Sequence, residues 1–78
     1  MGRPLNPEEM RELLASLLEG AAGNRREHWA AAIGDFEQLP THFNVRSNWQ
    51  VHPRGSKRDI DAIQKAVDLV RQEHPYVA

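Results

Sequence analysis

The chain has 78 residues, ten basic and eleven acidic side chains, no cysteine and a net charge of −1. That length makes one small domain, residues 1–78, with a modest core. Without cysteine there is no disulfide scaffold, thiolate metal site or thiol nucleophile, and the near-neutral charge excludes a uniformly polybasic coat for nucleic acid.

The first residues, Met1 to Asn6, carry no apolar signal-peptide core. No apolar run approaches the roughly 20 residues that span a bilayer. The expectation is a complete cytoplasmic chain with no membrane partner.

The first helix starts at Asn6, an N-cap, with Pro7 behind it and Glu9 placed for a capping box. Leu5 and Met10 fill the two positions of a hydrophobic staple. Met10, Leu13, Leu14, Leu17 and Leu18 form one apolar stripe at helical spacing, and Gly20 and Gly23 end the helix.

The next stretch allows two readings. Asn24 and Glu27 suggest a second capping box, and Trp29, Ala32, Ile33 and Phe36 recur at helical spacing. This favours a short helix ending at Gly34, then a short strand over Asp35–Leu39 that turns at Pro40. The rival is one long strand over His28–Gln38 with a bulge at Gly34.

From His42 to His52 the sequence alternates, with Phe43, Val45, Ser47, Trp49 and Val51 on one face. His42, Asn44, Arg46, Asn48, Gln50 and His52 take the other, which predicts a half-buried strand. Ser56 caps a last helix, Asp59 stands at the reciprocal capping position, and Pro75 stops it. Ile60, Ile63, Val67 and Val70 make its seam, widened by Ala66 and Leu69. Tyr76 and Val77 are expected to fold back onto the body of the domain.

The fold class is therefore α+β, with helices on one face of a two-stranded antiparallel sheet. The order is α-α-β-β-α, the alternative α-β-β-α.

Signals for chemistry are sparse. His42 and His52 would lie about 33 Å apart on one extended strand, so they cannot share a metal ion. His28 and His74 belong to no ligand spacing and read as solvated surface residues. Glu8, Glu9 and Asp59 sit in first turns, where they complement the helix dipole. Asp35 and Glu37 share a strand face and should pair with a neighbouring base. No nucleophile elbow, phosphate loop or dinucleotide fingerprint occurs. The expectation is no enzyme, no cofactor and no metal.

Charge is uneven along the chain. Residues 1–40 hold seven acids and four bases, net −3, and residues 41–78 hold six bases and four acids, net +2. Thr41–Arg58 contains Arg46, Arg54, Lys57 and Arg58 and no acid. Those four residues with Trp49 are the candidate binding residues. The function expected is a small protein-interaction module, binding another protein or itself. The seam of the last helix offers a dimer face and the longer strand a docking edge. The alternative is a nucleic-acid-binding protein using 41–58, with Arg54, Lys57 and Arg58 on phosphate and the polar strand face on bases.

Overall fold

The computed structural model describes residues 4–40, 42 and 46–78. The element order is α1 (Pro7–Ala22), α2 (Arg26–Ile33), β1 (Asp35–Gln38), β2 (Trp49–His52) and α3 (Lys57–Glu73). This is the α-α-β-β-α arrangement, with a two-stranded antiparallel sheet.

The capping box of α1 forms as its residues dictate. Glu9 N–H donates to Asn6 Oδ1 at 2.8 Å and Asn6 N–H donates to Glu9 Oε1 at 3.1 Å. The helix passes through Gly20 and ends at Gly23, which alone caps it with φ +79°. At α2 the expected Asn24 cap gives way to Arg25, which makes no side-chain cap. Asn24 sits instead at φ +70°, its Oδ1 accepting the Arg25 N–H at 2.9 Å. Consecutive positive φ angles turn the chain too sharply for Asn24 to face the helix start. The turn is tied down by Trp29, whose Nε1–H donates to Gly23 O at 2.6 Å.

Gly34 ends α2 at φ +74°, and a Cβ there would overlap the carbonyl oxygen of His52. Only glycine allows the sheet to begin this close to the helix. The rival reading of one bulged strand over His28–Gln38 is thereby replaced by a helix and a strand.

β2 is shorter than the alternation predicts. Trp49–His52 pairs with Asp35–Gln38 in the register Asp35↔His52, Phe36↔Val51, Glu37↔Gln50 and Gln38↔Trp49. Residues 43–45 of the expected strand lie outside the described residues, and Arg46–Asn48 is irregular. Two backbone N–H groups there bond outside the β1–β2 ladder, one locally and one to the last residues of the chain. Ser47 Oγ accepts from Trp49 N–H at 3.5 Å, and Asn48 N–H donates to Pro75 O at 3.1 Å.

The core joins α1 (Met10, Leu14, Leu18), α2 (Trp29, Ile33), Trp49 and α3 (Ile63, Val67, Val70). Ser56 Oγ accepts from Asp59 N–H at 3.1 Å and starts α3. The Asp59 carboxylate does not reciprocate; it accepts from His28 Nε2 at 3.0 Å, so the half-exposed His28 is also a partner of α3. The seam offered as a dimer face is internal: Ile63, Ala66, Val67 and Val70 are all buried. Leu69, expected to widen it, points outward and is 59% exposed. Val77 folds back and is buried, whereas Tyr76 is 42% exposed.

Candidate functional site

The sheet presents two different faces. Phe36, Trp49 and Val51 turn toward the helices, with Phe36 stacked on Trp49 at 5.4 Å between ring centroids. The opposite face carries Asp35, Glu37, Gln50 and His52. There Gln50 Nε2–H donates to Glu37 Oε1 at 2.7 Å and His52 Nε2 lies 2.9 Å from the same oxygen. These two bonds, Gln50 first, hold the Glu37 carboxyl below its ordinary value near 4.5. Asp35 pairs with Arg54 at 3.3 Å. The strand acids therefore pair with neighbouring bases, as their shared face requires.

The five predicted binding residues do not form one surface. Trp49 is 1% exposed. Its Nε1–H donates to His74 O at 2.8 Å and the Arg71 guanidinium lies 4.9 Å above its ring, so it is a core residue. Arg54, Lys57 and Arg58 are exposed and brought together by the turn before α3. Arg46 precedes β2, and four extended residues, ~13 Å of strand, separate it from them.

The acid-free run is also not acid-free in space. Asp35 reaches Arg54 from β1, and Asp59 stands in the same helical turn as Lys57 and Arg58. Of the amides proposed to read bases, Gln50 is engaged by Glu37 and Asn48 is buried. Asn44 lies outside the described residues.

A different feature emerges from the sheet register. Leu39 N–H donates to Asn48 O at 2.6 Å, extending the ladder by one pair. In an antiparallel ladder, hydrogen-bonded and non-bonded pairs alternate. Leu39↔Asn48, Glu37↔Gln50 and Asp35↔His52 are then bonded, and Trp49 and Val51 direct their backbone groups to the outer edge. Trp49 agrees, because its carbonyl accepts from Arg71 Nη2–H at 3.0 Å on that side. Pro53 has no N–H to offer. The N–H and C=O of Val51 are left facing outward.

Beside that edge runs a groove of about 380 Å³ between β2 and α3, lined by Val51, Pro53, Gln64, Val67, Asp68 and Arg71. Gln64 to Arg71 spans about 10 Å of helix at ~1.5 Å per residue, which matches three extended residues. A second groove, about 410 Å³, lies where the end of α1 meets α2 and the first turn of α3, at Ala21, Trp29, Arg58 and Asp59. Among the described residues no three His, Asp or Glu side chains converge to hold a metal ion, and no helix is long and apolar enough to cross a membrane.

Sequence reasoning passed over Val51 and Arg71 as functional residues. Alternation marks Val51 as inward-facing in its side chain, but its backbone direction depends on the partner register. Arg71 carries no sequence signal at all, since its role is set by where α3 crosses Trp49.

Fold and site together define a class: a small α+β domain whose two-stranded sheet turns the Val51 edge, among the described residues, toward a helix. No family model, curated protein or solved structure matches the chain.

Proposed function

We propose that the protein is a non-enzymatic, cytoplasmic protein-interaction module that takes an extended segment of another protein along the outer edge of β2. The observation that carries this reading is Val51, whose outward N–H and C=O stand at strand spacing beside the groove under α3. An added strand satisfies both groups, and alternate side chains of the segment enter the groove. The short edge, the proline at its end and the Arg71 cover over Trp49 O restrict pairing to this one position.

Nucleic acid on 41–58 is the weaker reading. Arg54 and Gln50 already hold acidic partners, and Asn48 and Trp49 are buried.

Affinity capture from native extract with three chains tests the proposal. Val51→Pro removes the outward N–H and also changes a side chain packed on the core, so its folding is checked first by circular dichroism and urea unfolding; Leu69→Ser alters an exposed side chain elsewhere. A protein held by the unaltered chain and Leu69→Ser, but lost with Val51→Pro, supports the edge. Equal capture by all three chains overturns it. A gel shift of short oligonucleotides at about 50 mM salt, abolished by Lys57→Ala with Arg58→Ala, moves the assignment to nucleic acid.

A further inference from the structure

The outer edge of β2 offers an incoming strand less than a full ladder, and what it withholds specifies the strand. Trp49 O and Val51 N–H are neighbouring outward groups, with Gln50 between them. Arg71 Nη2–H already donates to Trp49 O at 3.0 Å. A strand antiparallel to β2 that continued past Val51 would bring its next N–H to that carbonyl and find it taken. A backbone donor left without an acceptor is costly. A strand that stops opposite Val51 brings no such group.

Arg71 also lacks an anion. One N–H is spent on Trp49 O, Nε is buried without an acceptor, and among the described residues no carboxylate pairs with the guanidinium. The group lies 4.9 Å above the Trp49 ring, which fixes its charge at the Trp49 end of the groove. A partly desolvated cation held in one place favours an anion beside it. Asp68 lines the same groove earlier on α3, farther from Trp49.

We propose that the segment taken by the Val51 edge is the free C-terminus of a partner protein, lying antiparallel to β2; this rests on the edge reading above. The N–H of its last residue donates to Val51 O, and one carboxylate oxygen accepts from Val51 N–H. The other oxygen is directed along the edge to Arg71. A residue paired with Val51 shares its face, so its side chain enters the groove beside Val51, Pro53 and Val67 and should be apolar.

Two synthetic peptides that differ only at their end test it: acetyl-Thr-Val-Thr-Val with a free carboxylate, and the same peptide as its amide. Each is titrated into the isotope-labelled protein, with the Val51 amide and the Arg71 Nε–H followed by NMR. The acid should move both signals and bind at least about tenfold more tightly than the amide. Arg71→Gln, its folding checked by urea unfolding, should reduce that preference to about twofold or less. If the variant does not fold, the Arg71 Nε–H of the unaltered chain decides: movement with the acid and not with the amide supports the proposal, and no movement with the acid overturns it.

Equal binding of acid and amide at Val51 overturns the proposal and leaves the edge reading standing. Neither peptide moving the Val51 amide overturns both. A longer amidated peptide, acetyl-Thr-Val-Thr-Val-Thr-Asp-amide, carries its carboxylate inside a continuing strand. Binding as tight as that of the acid would assign Arg71 to an internal acidic side chain, and the free C-terminus falls.

Discussion

Gly34 and Gly20 show how differently one residue type is used in this chain. At Gly34, φ of +74° coincides with a carbonyl where a Cβ would stand, so Gly34→Ala should cost more than about 2 kcal/mol. Gly20 lies inside α1 with open space around its Cα, and Gly20→Ala should stabilise by about 0.5–1 kcal/mol. Urea unfolding of both variants checks the contrast. Glu37 gives a pH prediction at the same scale. Its folded pKa lies below the ordinary 4.5, so its pairing stabilises the fold above that value and is lost as pH falls through the lowered one. An NMR titration of the Glu37 carboxyl should give a midpoint below the usual glutamate range. Gln50→Ala should return it upward, since Gln50 is the main cause of the shift.

At the scale of elements, α3 separates core from surface within one turn. Ile63→Ala should cost about 2–5 kcal/mol, because Ile63 is fully buried between α1, α2 and α3. Leu69→Ala should change stability by less than about 0.5 kcal/mol, measured by the same unfolding curves. The periodicity of Ile63, Ala66, Val67 and Val70 is visible in the sequence and found in the helix; Leu69 lies at the margin of that stripe, and only the position of α1 decides its side. α1 and its capping box were equally legible, because caps and stripes are local properties of a few consecutive residues. The eleven-residue strand was not, since alternation describes side chains and says nothing of partners. Asn48 was assigned to a polar face, yet its amide is consumed by Val77, twenty-nine residues away. Trp49 was misplaced for the same reason: in an alternating run it reads equally well as surface or core until Phe36 and Arg71 are placed against it.

Across the whole molecule, ion pairs link the elements but lie in solvent. Arg26 reaches Glu19 at 3.3 Å from α2 to α1, and Arg54 reaches Asp35 at 3.3 Å beside the sheet. Exposed pairs of this kind contribute little and are screened by salt. Raising NaCl from about 0.05 to 0.5 M should therefore shift the unfolding free energy by no more than about 1 kcal/mol, read from the urea midpoint. A larger drop would mean that charge pairing, and not the apolar core, holds the fold. The sequence splits into an acidic first part and a basic second part. Folding brings Asp35 to Arg54 and His28 to Asp59, so charges from the two parts meet in space.

The net charge, the absence of cysteine, the first and last helices with their caps, and the α+β class were determined by the amino-acid sequence, because each follows from composition or from residues a few positions apart; the second helix was left open until Gly34 was placed against His52. The tertiary structure alone decided that Trp49 is core, that Asn48 clamps residues 74–78, and that Val51 marks the outer edge of the sheet. Those outcomes depend on which distant backbone groups meet, and strand register and the path of the last residues are settled by packing, which no local pattern encodes.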